Sequence, residues 1–449
     1  MINVNGVLMD GSTVVDIDRS QKEIVIPEYA DDATYMLTLG GIECLTINSL
    51  LLLSKFIGMP KKLILNDTTD LRYSSYHLNN LIDQIFSRPG LEWIELTEEN
   101  PYYKTIDGIL YLKSGITLVK CPFGRGGDIV IPEGTRIIDV DAFWQAKITS
   151  VTFPDSLRVL RERAFGECKN LEKVNFGKGI TEIGSTNSIS SVFESCSSLK
   201  KIEFPEQVKS IGSRAFYNCK LEEVIFHEGL ERIRQSAFIY NRRLKSVTLP
   251  ASLKYVGTYN FYNAEDIYLS GNMPSNLLDA ITSSIISMRN EEFQAITLHL
   301  HGKAICIPKI LSVGGKSKVS EIIRSNNEML FGNTFDASNF APSRQDAALA
   351  TYLFGIPNEN TKKYLKKQAN DMAVRYLNSG NIKYLIKLLE TDFVTLDTLN
   401  ILIDMMQEDD VRYMVTPERE PIVMAYIMQA AKRQGKESEK EIAKRFSLD

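Results

Sequence analysis

Phenylalanine residues recur at a nearly constant interval through the middle of the chain, and this spacing limits the possible folds more than any other feature. They close six similar segments and are Phe143, Phe165, Phe193, Phe216, Phe238 and Phe261. Their separations are 22, 28, 23, 22 and 23 residues, and the longest contains the Ser-, Thr- and Asn-rich stretch 185–191. A unit of this size cannot bury an apolar face alone, so its copies have to stack on one another. The spacing therefore predicts a solenoid of repeats with one surface-loop insertion.

Each repeat carries a strand with one apolar side. In the segment LEKVNF, Val174 and Phe176 alternate with Lys173 and Asn175, so the two pairs face opposite sides of the strand. A proline follows most of these strands and ends them, because proline has no backbone N–H to donate. A short second apolar pair and then the phenylalanine complete the buried side. We therefore expect stacked strands whose apolar sides share one core.

The repeats have a common residue pattern, AFxxCxxLxxIxFPxxVxxIG, seen as AFGECKNLEKVNF, FESCSSLKKIEFPEQVKSIG and AFYNCKLEEVIF. This pattern resembles the BspA-like leucine-rich repeat family over roughly residues 108–270. The resemblance implies an extended solenoid that binds proteins. It also implies a surface location as an alternative, because relatives are often found on bacterial or protozoan surfaces.

The chain as a whole is predicted to be α+β, with a leucine-rich-repeat β-solenoid followed by an all-α C-terminal domain. Residues 1–107 are expected to form an irregular N-terminal cap with degenerate repeats, and 108–305 the solenoid. A linker is expected over 306–319 and the helical domain over 320–449.

An internal similarity connects the first part of the chain to the solenoid. GVLMDGSTVVDIDRSQKEIVIPE, from Gly6, parallels GILYLKSGITLVKCPFGRGGDIVIPE, from Gly108, and both indicate a hairpin followed by an Ile-Pro step. KKLILND and LEWIELT are expected to be repeat strands. Helical insertions are expected around Ile47–Phe56 and Leu78–Phe86.

The last part of the chain has helical periodicity. RQDAALATYLFG, TKKYLKKQANDMAVRYLNSG and NIKYLIKLLE space their apolar residues three and four apart. Gly380 closes one of these segments just before Asn381 begins the next, which predicts an antiparallel helix pair. The pair resembles ankyrin-like helical hairpins, and a small helical bundle is the alternative.

Charge and hydropathy argue against several classes of protein. The net charge is −4 with both signs interspersed, whereas a nucleic-acid-binding domain usually has a basic excess. The apolar runs, such as Leu50–Leu53, are far shorter than the ~20 residues of a membrane-spanning helix. The first residues contain neither the basic nor the apolar segment of a secretory signal. We therefore expect a cytoplasmic protein, or a surface protein if the N-terminus has been trimmed.

The three cysteines Cys168, Cys196 and Cys219 share one repeat position. Neighbouring strands lie ~4.8 Å apart, so the sulfurs could form a metal or redox ladder. The structural explanation is that a small, slightly polar side chain fits a buried turn. We favour the structural explanation and expect no metal site.

Two further motifs invite a chemical interpretation. His299 and His301 would share one side of a strand, as two metal ligands do, but Cys306 has the opposite parity and no third ligand is evident. The run SVGGKSKVSEIIRS, 312–325, lacks the first glycine of a phosphate loop, and an exposed linker explains it better. No catalytic set is recognisable, so the chain is predicted to be non-enzymatic and to need no cofactor.

The outward side of the strands remains as the candidate binding surface. Its first outward residues are Ser150 and Thr152, and the candidate partner-binding residues that follow are Lys173, Asn175, Lys201, Glu203, Glu223, Ile225, Ser246, Thr248, Asp266 and Tyr268. An exposed isoleucine and tyrosine amid mixed charge fit a patch for a protein partner. Plain solvation of the sheet face is the alternative.

A second row of the repeats is rich in arginine. It consists of Arg158, Arg161, Arg163, Arg232, Arg234, Arg242 and Arg243. Acidic residues in the same repeats nearly balance it, so we interpret it as solvated surface. The predicted function is a scaffold for protein–protein interaction. Its helical domain would provide a second docking surface or, alternatively, a site for a small ligand.

Overall fold

The computed structural model describes residues 1–33, 36–53, 55–68, 85–184, 190–283, 293–406, 415–416 and 418–434. These residues form a β-solenoid over 13–269 followed by a helical region, which confirms the predicted fold class. The chain divides into two compact units. Unit 1 comprises Met1–Leu244, Ser252–Asn263 and Pro274–Asn276, and unit 2 comprises Lys245–Ala251, Ala264–Met273 and Leu277–Asp449.

Unit 1 is built almost entirely from short strands and contains one short helix, α1 (Leu50–Leu53), among its described residues. Its strands up to the second hairpin are β1 (Ile2–Val4), β2 (Val7–Asp10), β3 (Thr13–Ile17), β4 (Glu23–Val25), β5 (Asp32–Ala33), β6 (Leu37–Thr38), β7 (Cys44–Ile47), β8 (Phe56–Ile57), β9 (Lys62–Leu65), β10 (Trp93–Leu96), β11 (Tyr103–Ile106), β12 (Ile109–Leu112) and β13 (Thr117–Lys120). Its later strands are β14 (Gly126–Val130), β15 (Ile137–Ile138), β16 (Lys147–Thr152), β17 (Val159–Leu160), β18 (Lys173–Asn175), β19 (Glu182–Ile183), β20 (Lys201–Glu203), β21 (Ser210–Ile211), β22 (Glu223–Ile225), β23 (Arg232–Ile233) and β25 (Tyr255–Val256).

The strands of the repeats pair in parallel and form two kinds of ladder. The longer strands give the sheets β14–β16–β18 and β20–β22, and the two-residue strands give β19–β21–β23–β25. Ile202 lies opposite Val224, and both are buried. Because the repeats stay in register, each one adds its apolar residues to the same core.

Two antiparallel hairpins of the same design begin the two similar segments of the sequence. In each of them the first two strands are connected by a residue pair with positive φ. The pair is Asn5–Gly6 between β1 and β2, and Asp107–Gly108 between β11 and β12. Each hairpin has a register shift in its second pairing, next to Met9 in one and Tyr111 in the other. The third strand of each then pairs in parallel with the next two-residue strand, β5 or β15. The internal similarity therefore corresponds to a repeated hairpin.

The first hundred residues are more regular than the expected irregular cap. Strands β4, β7, β9 and β10 form one parallel sheet in unbroken register. The connecting segments vary in length, which hides the repeat in the sequence, whereas strand pairing needs only the alternation of side chains. The expected helical insertion Ile47–Phe56 contains α1. Most of the other, Leu78–Phe86, lies outside the described residues.

A column of stacked phenylalanine rings runs through the core of unit 1. The six rings that define the repeat lie at successive centroid distances of 4.7, 5.2, 5.1, 5.5 and 5.4 Å and are nearly parallel. A second column packs against it and consists of Phe153, Phe176, Phe204 and Phe226. The constant spacing of phenylalanine in the sequence is therefore the spacing of one ring per layer.

The turns that carry the phenylalanines form a third ladder of backbone hydrogen bonds. In it the N–H groups of one repeat donate to the carbonyl groups of the next repeat. Phe193 and Ser195 donate their N–H groups to Ala215 and Tyr217 of the next repeat, each at 2.8 Å, and other repeats do the same. The donor Ser195 has a φ of +61°, an unfavourable conformation for a non-glycine residue. At the end of the ladder the side chain of Asn260 replaces a backbone acceptor and receives the N–H of Phe238 at 3.2 Å.

Unit 2 combines the last long strands with the helices. Its sheet has the order β24 (Ser246–Leu249), β26 (Asp266–Leu269), β27 (Ala295–Leu300) and β28 (Lys303–Pro308), and the last two strands form an antiparallel hairpin. The helices of its described residues are α2 (Leu277–Ile281), α3 (Val313–Ser325), α4 (Glu328–Phe331), a 3-10 helix (Thr334–Ala337), α5 (Ala341–Phe354), α6 (Glu359–Asn378), α7 (Ile382–Leu389), α8 (Leu396–Met406) and α9 (Glu420–Arg433). None of these described helices has the length and apolarity that crossing a bilayer requires.

The structure differs from the expected linker over 306–319. Strand β28 ends within it, and helix α3 starts within it with Ser312 as its N-cap. Gly315 is explained by packing, because a Cβ there would come within 2.3 Å of the carbonyl oxygen of Ala337. Residues 306–319 therefore belong to unit 2 and are continuous with its sheet and helices.

One core joins the hairpin of unit 2 to the helices. Cys306 and Ala295 of the hairpin belong to the same buried cluster as residues of α5 to α9. The buried carboxylate of Asp346 on α5 accepts hydrogen bonds from the backbone of Gln294 and from the Tyr376 hydroxyl, at 2.6 and 2.7 Å. Arg375 also donates to this carboxylate. Gly380, with a φ of +67°, separates α6 from α7 as the sequence indicates.

Candidate protein-binding surface

The predicted outward residues of unit 1 lie on the solvent side of their strands. Lys173, Lys201 and Glu223 are exposed, and the residues that follow them in the strands are buried. Glu203 is exposed, whereas Asn175, Ser150 and Thr152 are half-buried. Ile225 is also half-buried, so it is less exposed than the alternation alone suggests.

Many of the polar groups on this face already have partners on the neighbouring strand. Lys201 Nζ lies 3.0 Å from Glu223 Oε1, and His227 Nε2 lies 3.1 Å from Glu203 Oε1. Asn175 donates to the Thr152 hydroxyl at 3.0 Å. Exposed pairs of this kind contribute at most about 1 kcal/mol each to stability, so a partner can displace them at low cost.

The structure adds two outward residues that the sequence reasoning did not select. Val130 lies opposite Thr152 at the end of β14, and 70% of it is exposed. Asp128, on the same strand, accepts hydrogen bonds from the hydroxyls of Ser150 and Thr149 at 2.6 and 3.0 Å. The sequence does indicate that Val130 faces outward, because IVIPE places it two residues before a proline, as VTFP places Thr152.

The candidate residues of unit 2 surround an aromatic pair. Ser246, Thr248 and Tyr268 are exposed, and the ring of Tyr268 stacks on His299 at a centroid distance of 4.1 Å. His299 Nε2 lies 2.8 Å from the carboxylate of half-buried Asp266. The histidine is thus held by a carboxylate on one edge and a ring on its face.

The histidine pair predicted from alternation does not form. His301 lies in the hairpin turn with a φ of +51°, so it does not share a strand face with His299. The parity argument for Cys306 was also wrong, because Cys306 lies opposite Thr297 and therefore on the same face as His299. Counting odd and even sequence positions fails here, because the hairpin turn changes which positions of the second strand face the same side as those of the first. Cys306 is buried, and burial raises the pKa of its thiol to about 12.

The three cysteines of the repeats are buried hydrogen-bond donors. The sulfurs of Cys168, Cys196 and Cys219 lie 2.9, 3.1 and 2.9 Å from the phenylalanine carbonyl oxygens of the preceding repeats. Burial raises the pKa of the Cys196 and Cys219 thiols well above their usual value. In the next repeat Asn241 takes the same place and donates to the carbonyl of Phe216 at 2.8 Å. An amide can replace the thiol, which supports the structural explanation of the cysteines.

Part of the arginine row is neutralised by acidic residues of adjacent repeats. Arg161 lies 2.9 Å from the carboxylate of Asp139, and Arg163 binds both carboxylate oxygens of Asp141. Arg163 also stacks on the ring of Trp144 at 4.9 Å from its centroid. These contacts agree with the interpretation of the row as solvated surface.

The repeat geometry can be compared with known families. The family described as "BspA type Leucine rich repeat region" matches residues 127–242 and 187–291, with six copies. Residues 127–291 therefore match a BspA-type leucine-rich repeat region. The BspA-type region includes all the partner-binding candidates, and leucine-rich repeat proteins typically act in protein interactions or at surfaces. No curated protein matches the sequence.

Several solved structures are similar to parts of this chain at low sequence identity. A leucine rich cell surface protein from Faecalibacterium prausnitzii is 22% identical, with 59% of this chain and 64% of that chain covered and a TM-score of 0.33. A leucine-rich repeat protein from Bacteroides ovatus is 18% identical, with coverages of 63% and 67% and a TM-score of 0.35. One from Eubacterium ventriosum is 14% identical, with coverages of 64% and 96% and a TM-score of 0.34. This chain thus spans less than two thirds of the Faecalibacterium protein.

Proposed function

We propose that this protein is a non-enzymatic scaffold that binds a protein partner through the outward side of its parallel strands. The observation that supports the proposal is the fixed register of the outward residues. Each repeat presents side chains at the same two strand positions, on a backbone held by three ladders of hydrogen bonds. A surface prepared in this way loses little conformational entropy when it binds.

The composition of the face also favours a protein partner. The exposed Val130 and the half-buried Ile225 provide apolar contact area in unit 1, and Tyr268 provides it in unit 2. Charged and hydroxyl side chains surround them and are already oriented by their neighbours. An apolar centre with a polar surround is the usual anatomy of a protein–protein interface.

The test is capture of partners from native lysate with the full chain and with two surface variants. One variant carries Lys201→Glu and Ile225→Asp in unit 1, and the other carries Thr248→Glu and Tyr268→Ala in unit 2. A control with the same kind of charge reversal, Lys209→Glu, changes an exposed residue next to the short strands instead. Thermal melting of all variants verifies that folding is unchanged.

We expect a partner that binds the wild type and the control but not at least one of the two face variants. A partner retained by both face variants would contradict recognition by the strand face and move the search to the helices of unit 2. The alternative function, binding of a small ligand by those helices, predicts a rise in melting temperature with a ligand library. A protein partner lost only with the strand-face variants would argue against this alternative.

The cytoplasmic location remains a prediction from the sequence. Protease treatment of intact cells tests it, because a cytoplasmic protein is protected until the cells are lysed. Digestion in intact cells would instead indicate a surface protein whose partner is extracellular.

A further inference from the structure

A second surface of unit 1 differs in chemistry from the strand face. It is the set of turns of unit 1 that lie between the phenylalanine of each repeat and the next outward strand, namely residues 166–172, 194–200, 217–222 and 239–244, which we name the turn edge. Lys169, Lys220 and Arg242 occupy equivalent places on it, each one residue after a buried donor of the thiol and amide ladder. All three cations are exposed.

The buried ladder fixes Lys220 and Arg242 in successive layers, whereas Ser197 occupies this place in the layer between Lys169 and Lys220. The sulfur of Cys219 is 2.9 Å from the carbonyl oxygen of Phe193, and the amide of Asn241 is 2.8 Å from that of Phe216. The side chain of Lys200 is also exposed. Its backbone carbonyl accepts the backbone N–H of Glu222 at 2.7 Å, so Lys200 lies in register with the next repeat. Since stacked strands are ~4.8 Å apart, the charges form a row along the edge.

Two of the four glutamates of these turns, Glu167 and Glu222, have other side-chain partners. Glu222 pairs with Arg243 at 2.7 Å, Glu223 with Lys201 at 3.0 Å, and Glu167 accepts a hydrogen bond from Gln145 at 2.8 Å. Within the described part of the chain, Lys169, Lys200, Lys220 and Arg242 have no carboxylate oxygen within 4.0 Å. Exposed Glu172 and half-buried Glu194, which acts electrostatically on Tyr217, offset part of this charge. Around Tyr217 and Tyr240 the cations Arg214, Lys220, Arg242 and Arg243 outnumber Glu194 and Glu222, so this part of the edge is locally basic in a chain whose net charge is −4.

Aromatic rings lie beside the cations. Tyr217 and Tyr240 are edge to face at a centroid distance of 5.2 Å, and Tyr240 is 41% exposed. The guanidinium of exposed Arg214 lies over the Tyr217 ring at 5.7 Å. Tyrosine and arginine are the residue types that contribute most often to protein interfaces, and they carry more binding energy than the Lys and Glu of the strand face.

We propose that the turn edge binds an acidic protein segment. Carboxylates of the segment pair with Lys220, Arg242 and Lys200, and an apolar side chain of the segment packs on Tyr217 and Tyr240. A protein segment is favoured over a nucleic acid because the edge has only a few cations in a chain whose net charge is −4, whereas a nucleic-acid-binding domain usually has a clear basic excess. The turn edge is separate from the strand face, so this proposal goes beyond the proposed function and does not depend on it.

Fluorescence anisotropy tests the proposal with a short fluorescein-labelled peptide of Asp, Glu and Gly that contains one Phe. The full chain is compared with Lys220→Glu/Arg242→Glu and with the matched control Lys209→Glu/Arg232→Glu, which reverses two exposed charges next to the short strands. We expect the first variant to bind on the order of tenfold more weakly in low salt and the control to bind like wild type. Raised salt should weaken wild-type binding, since the charges are exposed.

Further variants separate the parts of the proposal. Tyr217→Ala/Tyr240→Ala should weaken binding of the Phe-containing peptide but not of the same peptide with Gly in its place. Lys201→Glu/Ile225→Asp on the strand face should leave peptide binding unchanged, so failure of one proposal is distinguishable from failure of the other. Three results would overturn the turn-edge proposal: no binding by wild type, equal losses in the test and control variants, or tighter binding of a single-stranded oligonucleotide than of the peptide.

Discussion

The column of phenylalanine rings predicts a large loss of stability when one ring is removed. Phe216 is fully buried and stacks between Phe193 and Phe238 at centroid distances of 5.1 and 5.5 Å, with Phe204 edge-on at 5.4 Å. Replacing a buried phenylalanine by alanine costs about 3–5 kcal/mol through lost transfer energy and a residual cavity. Three ring contacts of about 0.5–1.5 kcal/mol each place Phe216→Ala in the upper part of that range.

Urea unfolding followed by circular dichroism measures this loss. Phe216→Leu keeps most of the apolar volume but loses the three ring contacts, so it should cost clearly less than Phe216→Ala without matching wild type. Tyr240→Ala is the matched control, because Tyr240 is an aromatic residue of the same repeats that is 41% exposed, and a surface substitution of this kind changes stability by about 0.5 kcal/mol. If Phe216→Ala unfolds at the same urea concentration as wild type or as Tyr240→Ala, the ring column does not hold the repeats together.

Three further predictions concern buried polar groups. Since burial raises the pKa of Cys196 and Cys219, both thiols should resist a thiol reagent in the folded protein under mildly alkaline conditions and react once urea unfolds it. Peptide mass mapping separates them from half-buried Cys44, and labelling of either thiol in the folded protein would contradict its burial. Burial raises the pKa of Glu265, but contacts with Lys383, Tyr384 and Lys245 outweigh it and hold the pKa below its usual value. Its ionised form therefore stabilises the fold above its unfolded pKa, so Glu265→Gln should lower the melting temperature at neutral pH. The difference from wild type should shrink once the pH falls below the unfolded pKa of about 4.3, and it should vanish below the lowered pKa of the folded state. Asp346→Ala should cost about 3–5 kcal/mol in urea unfolding, because it leaves the half-buried guanidinium of Arg375 without its carboxylate; an unchanged midpoint would show that this ion pair contributes nothing.

The periodic features of the fold could be predicted from the sequence. The spacing of phenylalanine set the layers, alternation set which residues of each strand are exposed, and Gly380 marked the break between α6 and α7. These signals are local, because each depends on residues within a single repeat or a single helix. The hairpin at Gly108 and its counterpart at Gly6 were predictable for the same reason.

Other features depend on contacts between residues that are distant in the sequence. Whether 312–325 is a linker or a helix depends on the close approach of Gly315 to Ala337, and the face on which Cys306 lies depends on how the hairpin turn resets the pairing. The turn edge was hidden too, since which cations stay unpaired is decided by ion pairs between adjacent repeats. The sequence by itself determined the repeating unit. Only the tertiary structure decided which side chains of neighbouring units bind one another, because those contacts arise from stacking and not from any local pattern.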